Sequence, residues 1–396
     1  MTRWEAFETV CRCLRATLLE RGEPPPLNDA SPELMIEISS FHYVTPALAW
    51  GLKSRPDVPA KLGEFLDAIL LLNGKRNAGM LAGLTKAIDA LNRIGIEPIP
   101  LKGAAYLLDG IYPDPSARFF GDLDMLVPAE RSTDAFAALQ GAGFATKPED
   151  VILPPGHHHL PMLHDRDTGA GVELHTDVLI KHFDPAITTA WFCERARPAQ
   201  FNGRSIRLPD ATRSVAHCII HSQLFHNLND RIELRRFLDS ALIRTRHESE
   251  IDWDEIDHRL SNLKFGQGLA TYLMFAEHLF GQKAPTLSQS PKPDAVADLR
   301  AVESRDHFQA WATNMKKIQD SLQSQLSLMT AERNSLRGEI ERANAEHDRL
   351  QSELGAMTTA RAAAQTEIGQ LRRSRSWRLT QPLRAAATVA RRLIGR

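Results

Sequence analysis

Met315, Leu322, Met329, Leu336, Ala343, Leu350, Met357, Ala364 and Leu371 recur at every seventh position near the end of the chain. Few folds tolerate that spacing. A helix turns once in 3.6 residues, so an apolar line of period seven keeps one face against a partner only by winding into a left-handed supercoil. Leu326, Ile340, Leu354 and Ile368 fall four residues after alternate members of the series, and Arg333, His347 and Arg361 fill the intervening equivalents. With the first series at d and the second at a, residues 299–371 read as a coiled coil, and residues 315–371 as the seam of a parallel homodimer. Gly338, Gly355 and Gly369 each cost roughly 1 kcal/mol of helix propensity. The competing expectation is therefore a single solvated helix folded back on the rest of the chain.

Upstream, the apolar period changes twice. Residues 1–94 read as helices: 4–19, then 32–53 with a break near Thr45-Pro46, then 59–93, where Leu62, Phe65, Ile69, Leu72, Met80, Leu84, Ile88 and Leu91 follow a 3.6 period. Gly95 is placed to stop the last of these. Residues 96–103, Ile-Glu-Pro-Ile-Pro-Leu-Lys-Gly, read as a short strand ending in a glycine turn, with a helix beginning at 104; Pro98 and Pro100 suit only an edge or irregular strand. In Gly121-Asp-Leu-Asp-Met-Leu-Val127 a strand's period of two puts Asp122, Asp124 and Leu126 on one face and Leu123, Met125 and Val127 on the other. A helix over 130–140, a polar loop, His157-His158-His159 and a strand over 171–175 follow. In that strand Glu173 and His175 lie opposite the inward Val172 and Leu174. Residues 185–281 return to helices, notably 210–225, 233–246 and 253–280, and 282–298 read as a linker rich in Pro, Ser and Gln.

Charge and cysteine usage narrow the class. The formal net charge of -1 hides a tail, 372–396, with eight arginines and no acid. Leu383, Ala387, Ala390 and Ile394 share one helical face there, and with Trp377 and Leu379 the tail reads as a peripheral contact for anionic membrane; a disordered tail is the alternative. Cys11, Cys13, Cys193 and Cys218 have neither metal-ligand spacing nor the density of a disulfide scaffold, so they read as reduced thiols of a cytoplasmic protein. No leader segment opens the sequence and no apolar run approaches the roughly 18 residues of a membrane span.

Two carboxylates side by side on a buried strand repel each other and lose hydration, so they persist only with a cation between them. The plain alternative is that one Asp caps a turn while the other is solvated. Taken with Lys102-Gly103 before a helix and Glu173 on a later strand, the order of elements resembles the polymerase-beta-like nucleotidyltransferase superfamily. Within it, Pro100-Leu-Lys-Gly103, Arg118-Phe-Phe-Gly-Asp-Leu-Asp-Met-Leu-Val127, Gly141-Ala-Gly-Phe144 and Val172-Glu-Leu-His175 resemble the bacterial nucleotidyltransferase family usually left uncharacterised. The resemblance covers roughly residues 30–280.

It implies an α+β fold: a small mixed sheet of nucleotidyltransferase type over 95–184, flanked by helical layers over 1–94 and 185–281. It also implies transfer of an NMP group from an NTP to a hydroxyl acceptor. Asp122, Asp124 and Glu173 would be the catalytic and metal-holding carboxylates for Mg2+, with Mn2+ as the substitute, and Glu173 the third ligand or the base. Gly103 would let phosphate approach a helix N-terminus, while Lys102 and Arg118 neutralise its charge. His159 is assigned to phosphate or acceptor contact, and His175 to the same role or to orienting Glu173. Gly103-Ala104 departs from the superfamily's usual Gly-Ser or Gly-Gly and removes a hydroxyl from the turn. His217 and His221, four apart on a helix, read first as packing residues. Two other functions stay open: a metal-dependent glycosyltransferase, which the tail 376–383 resembles but which lacks the βαβ units upstream, and a non-catalytic nucleotide-binding scaffold dimerised by its coiled coil. No specific nucleic-acid partner is expected.

Overall fold

The computed structural model describes residues 1–147, 157–179, 187–225, 232–261, 266–304, 308–375, 378 and 380–393, in two units, Met1–Met315 and Lys316–Arg396. In the first unit, Thr2 and Glu5 close a reciprocal cap on α1 (Arg3–Leu18), each side chain bonding the other's backbone N–H. Ser31 caps α2 (Pro32–Phe41), whose first residue is a proline with no N–H to satisfy. The expected break falls between α2 and α3 (Thr45–Leu52), where Tyr43 takes a φ of 57°. The helix α4 (Ala60–Arg93) runs unbroken, and Gly95 follows it at φ 75°.

The inward face of α4 is not wholly apolar. Asn73 and Asn77 are buried on it, and their amides donate to the carbonyls of Ser116, Arg118 and Pro115. Arg76 donates to the carbonyl of Phe120. The middle of the helix thus grips the loop that leads into the aspartate strand, and Leu72, placed inward by periodicity, is 42% exposed. Satisfying buried carbonyls outweighs continuing the apolar stripe.

The sheet has five strands in the order β1-β2-β5-β4-β3: β1 (Ile99–Pro100), β2 (Leu123–Leu126), β3 (Phe144–Ala145), β4 (Leu163–Asp165) and β5 (Gly171–His175). Among the described residues only β2 and β5 pair in parallel. β1 is an edge, as its prolines require. The two faces of β2 meet different cores: Leu126 joins the cluster of α1, α2 and α3, while Leu123, Met125 and Val127 join Leu84, Ile88, Val172 and Leu174. Helices α5 (Lys102–Leu108) and α6 (Ser132–Gly141) follow β1 and β2.

Residues 185–281 are not wholly helical. After α7 (Thr189–Glu194), β6 (Arg197–Phe201) and β7 (Arg204–Leu208) form a hairpin about Asn202-Gly203, with φ of 49° and 75°. Asn-Gly accepts two positive φ values at little cost and matches the twist of the flanking strands. Then come α8 (Ala211–Phe225), α9 (Leu234–His247), α10 (Trp253–Ser261) and α11 (Gly266–Phe280); the join at 262–265 and the boundary at 184–185 lie outside the described residues. The end of the linker is a helix, α12 (Ala295–Glu303), with Ala295 and Leu299 in the core and Glu303 Oε2 3.1 Å from the buried His42 Nε2. The packed part of the chain therefore reaches beyond 298.

The helix α13 (Phe308–Arg373) begins before the second unit and, within it, continues through Gly338, Gly355 and Gly369; α14 (Gln381–Leu393) follows. Trp377, Leu379 and Ile394 of the expected membrane contact lie outside the described residues. No helix among the described residues is long and apolar enough to cross a membrane.

Candidate active site

β2 and β5 run side by side with Asp124 opposite Glu173 and Leu126 opposite His175. Alternation along a strand then brings Asp124, Glu173 and His175 to one face. His175 Nε2 lies 2.7 Å from Asp124 Oδ1 and 3.7 Å from Glu173 Oε2. Lys102 Nζ reaches the same Asp124 oxygen at 2.8 Å. Lys102 arrives there from the turn after β1, held by the Leu101 N–H donating to the Asp124 carbonyl, and it takes a φ of 48°. A lysine in that left-handed region is strained, and such strain gathers at functional sites.

The histidine run enters through a bulge. Leu163 pairs with Val172 and His159 with His175, so four residue steps on one strand match three on the other. One extra residue lies near Pro161, which has no N–H for the ladder. The bulge turns His159 towards Glu173, with Nε2 at 3.5 Å from Oε2. His158 is buried, its carbonyl accepting from the N–H groups of Thr176 and Asp177, and burial pushes its imidazole down to about 3.

The electrostatics are those of a surplus of anions. Asp124's charge, then burial, pushes the half-buried Asp122 carboxyl up to about 6. For Asp124, burial is outweighed by Lys102 and His175, which hold it well below the usual carboxylate range. Burial opposes the charge on Lys102, yet Asp124 and Asp122 raise its pKa above the ordinary lysine value. His175 behaves alike: burial lowers it, but hydrogen bonds with Asp124 and Glu173 leave it above the usual imidazole value.

Asp124, Glu173 and His175 each offer a ligand atom, all within 4.8 Å of one another. Two carboxylates and an imidazole beside a third, charge-crowded carboxylate form a donor set suited to a divalent cation. Asp122 lies outside that triad but on the wall of the adjoining cavity, about 180 Å³, shared with Lys102, Arg235, Arg236 and His217.

Two expected phosphate contacts, Gly103 and Arg118, line the same cavity and are also engaged within the chain. Arg118 is buried and pairs with Asp239 of α9, Nη2 to Oδ2 at 2.7 Å and Nε to Oδ1 at 2.9 Å. Gly103 lies under that guanidinium: a Cβ there would stand 2.1 Å from Arg118 Nη1. The glycine makes room for the arginine. The cations of α9 were missed from sequence, although Arg235-Arg236 three residues before Asp239 is a visible signal. Arg235 donates to the Phe119 carbonyl at 3.2 Å and lies over the Tyr43 ring. His217, expected in helix packing, is buried, but among the described residues its Nε2 has no hydrogen-bond partner and it lines the cavity; burial and Lys102 push it down to about 3.

A family model described as uncharacterised nucleotidyltransferase matches residues 28–281. The chain belongs to that family. The match takes in β2, β5, Lys102 and Arg235 and Arg236 of α9, so the cavity lies inside it. Among solved structures, this nucleotidyltransferase is similar to the antibiotic-resistance factor ANT(2'')-Ia, at 11% identity over 48% of this chain and 92% of that one, with a TM-score of 0.33. It is also similar to an antigenic nucleotidyltransferase-like protein from Paracoccidioides brasiliensis, at 17% identity over 55% and 96%, again with a TM-score of 0.33. No curated protein matches the chain.

Proposed function

We propose that this family member transfers an NMP group from an NTP to a hydroxyl on a small molecule, sugar or protein. The observation that carries the reading is the register of Asp124 against Glu173, which sets two carboxylates side by side next to a cavity lined by Asp122, Asp124, Lys102, Arg235 and Arg236. Asp122, Asp124 and Glu173 would hold Mg2+, or Mn2+, which when bound withdraws charge from the phosphates. Arg235, Arg236 and Lys102 bind and orient the triphosphate. His175 fixes the Asp124 carboxylate through Oδ1. The acceptor oxygen forms a bond to the α-phosphorus, the bond to pyrophosphate breaks, and Glu173 takes the acceptor's proton, with His159 beside it. The chain acts as a homodimer joined through residues 315–371.

Calorimetric titration of ATP, GTP, CTP and UTP with magnesium, into the wild type and an Asp122→Asn, Asp124→Asn double variant, tests the reading. Binding of one nucleotide that requires metal and both aspartates is expected. Losing the metal contacts removes several kcal/mol of stabilisation, so transfer should fall by roughly a thousandfold. Unchanged binding and turnover in the double variant would sink the assignment. One observation favours a second reading: the Lys102–Asp124 ion pair already neutralises that carboxylate without metal. Nucleotide binding with no acceptor ever labelled would select the scaffold role.

A further inference from the structure

Every large apolar residue at a or d between 334 and 373 is open to solvent: Leu336 52%, Ile340 61%, Leu350 52%, Leu354 66%, Met357 71%, Ile368 49% and Leu371 52%. These residues form one stripe along α13, and burying a stripe of period seven takes another helix of the same period. The two flanks of the stripe differ in charge. Position g is Glu339, Glu346, Glu353, Ala360 and Glu367, while position e is Arg337, Asn344, Gln351, Thr358, Gln365 and Arg372.

We infer that two copies of α13 pair parallel and in register, their direction set by the glutamates at g. The inference rests on the homodimer proposed for the same residues. In a parallel pair each g faces the e of the next heptad on the partner, which sets Glu339 against Asn344, Glu346 against Gln351, Glu353 against Thr358 and Glu367 against Arg372. No like charges meet in that set. An antiparallel pair sets g against g, which places glutamates opposite glutamates along the seam. Arg349 touches Glu346 and Glu353 within its own helix, at 3.5 Å and 3.4 Å, and neutralises part of that repulsion only at those two positions.

Register follows from the alternation at a. Ile340, Leu354 and Ile368 are apolar, whereas His347 and Arg361 between them are polar. In register, apolar meets apolar, His347 meets His347, and Arg361 meets Arg361, whose long side chains can carry their charges out to the edge of the seam. A slip of one heptad would set each polar residue against an apolar one and strand it in the seam. Slipping by two heptads restores the match but gives up two heptads of contact. The parallel arrangement also starts both arginine-rich ends from the same end of the coil.

The test uses the full chain. Sedimentation equilibrium gives the number of strands, and Leu336→Cys and Leu371→Cys, made separately and oxidised with glutathione, give the direction. Of the native cysteines, Cys11, Cys13 and Cys218 are buried and Cys193 is partly so, and the wild type sets their background. The expected result is a two-chain mass with both variants linking efficiently to their own copies. The two sites are 35 residues apart, about 52 Å along a helix, so an antiparallel pair can bring at most one of them to itself. A two-chain mass with one or neither variant linking overturns the direction and leaves the homodimer standing. A one-chain mass overturns both, and a three-chain mass overturns the pairing in twos.

Discussion

Asp124 and Asp239 are buried aspartates on the wall of one cavity, each bonded to a cation, yet their charge is balanced in different ways. Asp239 gives Oδ1 to Arg118 Nε at 2.9 Å and to the Tyr112 hydroxyl at 2.6 Å, and Oδ2 to Arg118 Nη2 at 2.7 Å. One anion meets one cation through a two-point fork, which leaves little for a ligand to use. Asp124 instead places Lys102 and His175 on a single oxygen, with Asp122 and Glu173 adding negative charge alongside. A closed pair ties the loop before β2 to α9. Crowded carboxylates that share one lysine and one imidazole, with further arginines on the same cavity wall, are where a cation and a phosphate can act.

The largest effect that could break this contrast is at Asp239. Replacing it with Ala strands the Arg118 guanidinium in the core, and removing one partner of a buried pair costs about 3–5 kcal/mol. Urea unfolding of Asp239→Ala should show that loss, while Asp124→Asn gives up the charge that Lys102 and His175 share but is relieved of the repulsion from Asp122, so it should lose less stability and lose nucleotide binding as well. If Asp124→Asn is the more damaging to stability, the two sites are not different in kind.

A smaller effect sharpens the same contrast from the side of the turn. In Gly103→Ala the new Cβ must displace the Arg118 guanidinium, whose Nη1 it would meet at 2.1 Å, and Phe120 Cβ stands 3.1 Å away. Arginine ends usually yield, but this one is fixed at two atoms by Asp239. Overpacking of that kind costs about 1–3 kcal/mol, read as a drop in melting temperature. A variant that melts with the wild type would show that Arg118 can move, and the closed pair would lose its meaning.

These long-range links decide what the sequence could disclose. The aspartate strand was legible because period two and burial act within seven residues, and both faces of Gly121–Val127 landed where alternation put them. Lys102, Glu173 and His175 were legible as neighbours through the family's motif order. Arg118's pairing was not, since its partner is 121 residues away. His159 depends on one inserted residue at Pro161, and a bulge leaves no mark in apolar periodicity. The β6–β7 hairpin was missed despite its Asn202-Gly203 signal, because the helices on either side dominate the window. On α12, Ala295, Leu299 and Val302 do carry a helical period, but the Pro- and Ser-rich run before them masked it. The long helix is the reverse case: its period is plain in the sequence, and its apolar residues from Leu336 to Leu371 are exposed.

The smallest predicted effect concerns a third pair, between the closed and the open cases. Asp165 at the end of β4 is buried and accepts from Lys86 Nζ at 2.6 Å and from the Thr168 hydroxyl at 2.6 Å, while Lys86 is about one-third exposed. Burial alone would raise the Asp165 carboxyl, but Lys86 and Thr168 outweigh it and hold the group below its ordinary value of 3.8. A carboxylate with a depressed folded pKa adds stability above its unfolded value and loses it as pH falls through the folded one. Asp165→Asn should therefore cost about 1 kcal/mol near pH 7, and the gap to the wild type should close once the pH drops well below 3.8. Lys86 stays charged throughout, so a gap that persists in acid would mean that shape rather than charge holds β4 to α4. Asp165 would then belong with neither of the two aspartates it is compared to.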